Sequence, residues 1–120
     1  MSEKTYQIEV SWDEEILEII IIGRASKENA GEIAQEVFRI AGENKPKRML
    51  IDCRNVQGRL SIGDTYYHVR GYPNVRIKAA VLDILENKSY YSFHEAAAKN
   101  LGFPIKYFNH VDGAKAWLQQ

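Results

Sequence analysis

The order of hydrophobic and polar positions predicts a strand hairpin at the start of the chain. Residues 6–12 alternate apolar and polar side chains, which is typical of a half-buried strand. A polar turn at 13–15 follows. Residues 16–23 are then almost continuously apolar and include four consecutive isoleucines, which indicates a central strand buried on both faces.

Apolar residues spaced three and four apart predict helices further along. The first helix is expected to begin after Ser26 as N-cap and to stop at Gly42. The second is expected to begin at Ser61, with Asp64 as its capping partner and Tyr66 on its inner face.

Short apolar runs predict three further strands, at 49–51, 75–82 and 105–108. A polar loop over 54–60 is expected after the first of them, a third helix from about residue 89, and a last helix capped by Asn109. The order β-β-α-β-α-β-α-β-α predicts an α/β fold in a single domain over residues 1–120. It has one mostly parallel five-stranded sheet with four helices, and its first strand is antiparallel.

Composition narrows the class of protein. The chain is 45% hydrophobic and 27% charged, as expected of a globular domain. Cys53 is the single cysteine, so an intramolecular disulfide is impossible. The first residues do not resemble a signal peptide and the longest apolar run is too short to span a bilayer, so we expect no membrane span and a cytoplasmic location.

Charge is uneven along the chain although the net charge is zero. Residues 1–46 hold five basic and ten acidic residues, whereas residues 47–78 hold seven basic and two acidic ones. The basic middle segment is either a face for an anionic partner or a solvated surface paired with the acidic first helix. Because the domain as a whole is not basic, we expect no nucleic-acid binding.

Open α/β sheets bind ligands at the carboxyl ends of their strands, where Asp52, Cys53 and Asp83 fall. Two facing carboxylates could hold a cation, or each could instead accept hydrogen bonds from loop amides. Cys53 is either a nucleophile or a buried, inert thiol. An enzyme that uses these three residues is one hypothesis.

No spacing indicates a metal or cofactor. His68, His94 and His110 lack a zinc-binding pattern, and neither a phosphate-binding nor a dinucleotide-binding glycine motif is present. We therefore expect no metal and no cofactor. The last third is rich in aromatic residues, which either line a pocket for a small apolar ligand or form packed core. Those residues are Tyr90, Tyr91, Phe93, Phe103, Tyr107 and Phe108.

Several segments together resemble a known family. AAVLD at 79–83, FHEAAAKNLG at 93–102, YF at 107–108 and AKAWL at 114–118 resemble the bacterial SpoIIAA-like proteins. The element order is similar to the STAS domain of anti-sigma factor antagonists and of sulfate-transporter tails. The resemblance implies a STAS-like fold and a non-enzymatic regulatory module that binds a protein partner. A likeness to the CRAL-TRIO fold implies, as the alternative, a binder of a small apolar or lipid-like ligand.

The resemblance also implies a site. STAS regulators carry a phosphorylated serine at the start of the second helix, after an aspartate; Ser61 and Gly63 match this pattern, and Leu60 replaces the aspartate. Phosphorylation of Ser61 would be the switch. A second copy of the chain, in a homodimer, is a further candidate partner. The partner or ligand surface predicted around Ser61 consists of Arg54, Gln57, Arg59, Ser61, Asp64, Tyr67 and Arg70.

Overall fold

Five strands form one sheet in the order β1-β2-β3-β4-β5. The computed structural model describes residues 5–120, and for Ile62 the backbone alone. β1 and β2 are antiparallel and every other neighbouring pair is parallel, which confirms the predicted α/β fold. The elements are β1 (Tyr6–Asp13), β2 (Ile16–Arg24), α1 (Ala30–Asn44), β3 (Arg48–Gln57), α2 (Ile62–Arg70), β4 (Lys78–Leu82), a 3-10 turn (Leu85–Asn87), α3 (Lys88–Asn100), β5 (Ile105–Phe108) and α4 (Val111–Leu118).

The two faces of the sheet are covered by different helices. Leu17, Ile19 and Ile21 of β2 pack with α1, while Ile16 lies on the other face and packs with α4. Both faces of β2 therefore contribute to the core, which accounts for a run that only Glu18 interrupts. Lining residues from α1, the end of α2 and α3 surround one cavity, so these three helices share the face opposite α4.

The hairpin at the start of the chain closes over two residues. Asp13 pairs with Ile16, and the intervening Glu14 and Glu15 both have positive φ, at 49° and 71°. Positive φ at both central positions gives the turn a twist that matches that of the strands. β1 is an edge strand with Trp12 53% exposed. Homodimer formation through this edge stays a prediction.

Several predicted boundaries were wrong. β3 continues to Gln57, because a register shift between Ile20 and Ile22 lets β2 keep pairing through most of the supposed loop at 54–60. β4 begins only at Lys78 rather than at residue 75. None of the helices in residues 5–120 is both long and apolar enough to cross a bilayer.

Helix ends also differ from the prediction. α1 begins at Ala30, because Oδ1 of Asn29 accepts a hydrogen bond from the Ser26 amide at 2.8 Å and holds the preceding turn together. The helix passes through Gly42 and ends at Asn44, where Lys45 adopts a left-handed conformation.

One residue of α4 and one of α2 also differ from the prediction. His110, and not Asn109, precedes the first residue of α4. Tyr66, expected on the inner face of α2, is 46% exposed, whereas Thr65 and Val69 are buried.

Candidate functional site

A cavity of about 160 Å³ lies between the sheet and α1, α2 and α3. Its walls are mostly apolar, with Val37 and Phe38 from α1 and Met49 and Ile51 from β3. Arg59 and Asp83 follow the ends of β3 and β4, and so lie at the carboxyl ends of the strands, where an open α/β sheet is expected to bind ligands. The polar residues that line the cavity are Cys53, Arg59, His68, Tyr72, Asp83, Tyr90, His94 and Tyr107.

A buried ion pair forms one part of this polar end. Nη2 of Arg59 lies 2.7 Å from Oδ1 of Asp83, and Nε lies 3.2 Å from Oδ2. The remaining N–H groups of Arg59 donate to the carbonyl oxygens of Val56, Gly58 and Cys53 at 2.6–3.0 Å. All five donors of the guanidinium are therefore used within the protein.

Asp83 is fully buried directly after β4. Besides Arg59, its Oδ1 accepts hydrogen bonds from the Ile84 amide at 2.8 Å and from Nδ2 of Asn87 at 3.0 Å. The amide of Asp83 donates to the carbonyl oxygen of Phe108, which ties the end of β4 to β5. These contacts give Asp83 a structural role at the end of the sheet.

His94 sits among aromatic rings and is 95% buried. Its Nε2 lies 2.8 Å from the hydroxyl of Tyr72, and its ring centroid lies within 6 Å of those of Tyr90 and Tyr107. Burial, with a smaller contribution from His68, lowers the pKa of His94 to about 4. The imidazole is therefore neutral at physiological pH.

One polar atom at this site has no partner. In the part of the chain that the structure describes, Nδ1 of His94 is the buried side-chain atom that makes no hydrogen bond. Leaving a buried polar group unpaired costs about 1–3 kcal/mol, so such an atom calls for a ligand or an ordered water.

Cys53 lines the cavity as a protonated thiol. Burial, partly offset by Arg59, raises the pKa of the Cys53 thiol to about 12. The thiolate is the nucleophilic form of cysteine, and it is scarce at this pKa. Burial likewise raises the pKa of Tyr90 to about 12, so its hydroxyl also stays protonated.

The two aspartates predicted at strand ends do not form a shared site. The predicted position was wrong for Asp52 and Cys53, which lie within β3 because that strand continues to Gln57. Burial acts to raise the pKa of Asp52, but hydrogen bonds from the side chain and amide of Arg54 lower it overall. Asp83 pairs with Arg59 instead. Among residues 5–120 no group of three or more histidine, cysteine or acidic side chains could hold a metal ion.

The start of α2 is exposed. Oγ of Ser61 accepts a hydrogen bond from the Asp64 amide at 3.2 Å, which confirms the predicted cap. Tyr67 is 74% exposed, and Arg70 donates to the hydroxyl of Tyr66 at 2.9 Å. Arg54 and Gln57 are exposed as well, but the guanidinium of Arg59 turns inward.

Only some of the residues singled out from the sequence meet at the cavity. Tyr90, Phe103 and Tyr107 line it, whereas Phe108 packs on the opposite face beside Trp117. Sequence reasoning did not assign His94 or Tyr72 to a site. The four-residue spacing of Tyr90 and His94 on one helix face was the available signal.

No protein-family model matches the chain, and no curated protein matches it. Several solved structures, in contrast, match the chain over nearly its whole length. A crystal structure of an anti-sigma factor antagonist from Mycobacterium paratuberculosis has a TM-score of 0.64 at 13% identity, over 96% of this chain and 95% of that one. An uncharacterized protein with a SpoIIAA-like fold from Shewanella loihica has a TM-score of 0.54 at 18% identity, over 98% of each chain.

The chain has a STAS-like fold. This confirms the resemblance drawn from the sequence at the level of architecture. In this STAS-like chain the cavity occupies the face of α1–α3, next to the exposed start of α2.

Proposed function

We propose that this STAS-like chain is a non-catalytic module that binds a small, mostly apolar molecule in the cavity under α1–α3. The observation that carries the proposal is an apolar cavity lined by His94, whose buried Nδ1 has no partner among the described residues. Ligand sites typically combine apolar walls with a few convergent polar groups in this way.

The volume of the cavity sets the size of the molecule. An apolar cavity of roughly 150 Å³ stays dry in a protein interior and accepts benzene. At about 160 Å³, the cavity here suits a single ring or a short branched chain.

The state of the polar residues supports binding over catalysis. Asp52 and Asp83 each pair with an arginine, and the thiol of Cys53 stays protonated. A nucleophile or general base needs a free lone pair and a pKa near the working pH. These side chains do not meet that requirement.

Toluene binding tests the proposal. We expect saturable NMR shifts in amides of β3, β4 and α3 when toluene is added to the wild-type protein. Cys53→Leu extends a side chain into the cavity and should abolish saturation, whereas the matched control Cys53→Ala should keep it. If toluene caused no saturable shift, or if it bound Cys53→Leu as well as the wild type, the cavity would not be a binding site.

A second candidate function is a regulatory module that binds a protein partner through the start of α2. Ser61 and Tyr67 are exposed there, and the matched anti-sigma factor antagonist supports a regulatory role. A phosphate on Ser61 would add almost two negative charges at a helix N-terminus, next to Asp64 and near Lys27. Such a charge could reset an interface.

Intact mass tests the switch. Protein purified from its own host should carry a mass increase that phosphatase removes, and Ser61→Ala should lack it while Ser92→Ala, a serine in α3, keeps it. An unmodified wild-type protein under all growth conditions would argue against the switch. A phosphate that persists in Ser61→Ala would place the modification elsewhere.

A further inference from the structure

We propose that the molecule bound in the cavity presents one uncharged hydrogen-bond acceptor, a carbonyl or hydroxyl oxygen, to Nδ1 of His94. This inference rests on the proposed function and specifies the chemistry of the ligand. His94 lines the cavity and is nine-tenths buried, and its Nδ1 has no partner among the described residues.

The hydrogen-bond partners of His94 indicate which of its ring nitrogens carries the proton. Among residues 5–120, the hydrogen bond of the Tyr72 hydroxyl is the one to Nε2 of His94. If Tyr72 donates, Nε2 accepts, and the N–H on Nδ1 is the single group left unpaired. If Nε2 donates instead, both the Tyr72 proton and Nδ1 are left without a partner. The first arrangement leaves fewer buried groups unpaired, so Nδ1 is a donor and its ligand is an acceptor.

The Arg59–Asp83 ion pair in the same cavity lining indicates that the acceptor is uncharged. Arg59 uses all five of its donors on Asp83 and on three carbonyl oxygens. Its charge is offset by Asp83, and among residues 5–120 no lysine or second arginine lines the cavity. A carboxylate would therefore lose its hydration without gaining a cationic partner, which is strongly unfavourable.

The surrounding rings define the rest of the ligand. Tyr90 and Tyr107 flank His94, and Phe103 lies on the same side of the sheet. Aromatic side chains favour offset or edge-on contact with another ring. A compact ring that carries one carbonyl or hydroxyl group fits both the walls and the polar end.

Styrene, benzaldehyde and benzoate separate these contributions, because the first two share a shape and the third adds a charge. We expect the wild-type protein to bind benzaldehyde about tenfold more tightly than styrene, the effect of satisfying one buried donor. Benzoate should bind at least about tenfold more weakly than benzaldehyde. The readout is the dissociation constant from NMR titration.

Two variants assign the preference to one atom. His94→Phe removes Nδ1 and keeps an aromatic ring, so styrene and benzaldehyde should bind it within about twofold of each other. The matched control His110→Phe changes an exposed histidine outside the cavity lining and leaves Nδ1 of His94 in place, so it should retain the wild-type preference. Imidazole ¹⁵N shifts of the wild type should show the proton of His94 on Nδ1.

The outcomes distinguish the two proposals. If styrene and benzaldehyde bind the wild type equally, or benzoate binds as well as benzaldehyde, the inference is wrong and the cavity remains a site for apolar molecules. In that case a water satisfies Nδ1. A proton found on Nε2 would also overturn the inference. If none of the three probes binds, the proposed function fails together with it.

Discussion

Asp83→Asn is expected to be among the most destabilising single changes at the carboxyl ends of the strands. The substitution removes the negative charge while the side chain of Arg59, only 11% exposed, stays charged. It also places an amide donor where Asp83 now accepts hydrogen bonds from Arg59, Ile84 and Asn87. The variant therefore holds a buried cation without its counter-ion, together with several donors that face one another.

The expected loss in the free energy of unfolding follows from the burial of this ion pair. Breaking a buried ion pair by removing one partner costs about 3–5 kcal/mol, because the other charge is left uncompensated. For a chain of 120 residues, about 4 °C of melting temperature is lost per kcal/mol, so the expected decrease is roughly 12–20 °C. Total stabilities of domains of this size are roughly 5–15 kcal/mol, so the variant should be near the limit of folding.

Asp52→Asn is the matched control. Asp52 also pairs with an arginine, but it lies within β3 and its partner Arg54 is 41% exposed. Solvent-exposed pairs contribute about 0–1 kcal/mol. Urea unfolding of both variants gives the free energy of unfolding directly. If Asp83→Asn lost no more than Asp52→Asn, the reasoning about the buried pair would be refuted.

Three further predictions concern single residues. Gly58→Ala should lower the free energy of unfolding by at least about 1–3 kcal/mol, because φ is +86° and the new Cβ would lie 2.5 Å from the carbonyl oxygen of Ala25. Gly42→Ala, in open space on α1, should raise it by about 0.5–1 kcal/mol. Chemical denaturation of both variants measures these changes. The pKa of His94 is about 4 in the folded protein and 6.5 when unfolded, so its contribution to stability is fully present above pH 6.5 and decreases by about 3 kcal/mol as the pH falls to 4. This loss in the free energy of unfolding should be absent in His94→Phe. An NMR titration midpoint of His94 near 6.5 would contradict the prediction. Because the pKa of the Cys53 thiol is about 12, it should react with a thiol reagent at pH 8 on the order of a thousandfold more slowly in the folded protein than in urea. Equal rates would show that the thiol is not buried.

Much of the fold could be predicted because the hydrophobic pattern directly reflects burial. The apolar run of β2 contributes buried residues on both faces. The alternation in β1 places Tyr6 inside, whereas Val10 and Trp12, predicted on the same buried face, are exposed at the edge of the sheet. Where the prediction was wrong, a contact distant in sequence decided the outcome. The polar residues of β3 up to Gln57 form a strand because β2 pairs with them, and their own composition does not indicate this.

The candidate site was less accessible to sequence reasoning. Asp83 and Cys53 were identified from the strand-end rule, and both line the cavity. The pairing of Asp83 with Arg59 joins residues 24 positions apart, and that of Tyr72 with His94 joins residues 22 positions apart. Neither pair has a characteristic spacing, so Arg59 was assigned to the exposed surface and His94 to no site. These contacts become visible only when the helices are packed on the sheet.

A crystal structure of the protein soaked with benzaldehyde would test the central claim most directly. The account predicts electron density for the ring between the sheet and α1–α3, with the oxygen about 3 Å from Nδ1 of His94. The position of Arg59 and Asp83 should be unchanged, since their hydrogen bonds are already complete. Side chains collapsed into the cavity, or density for water alone beside Nδ1, would contradict the account.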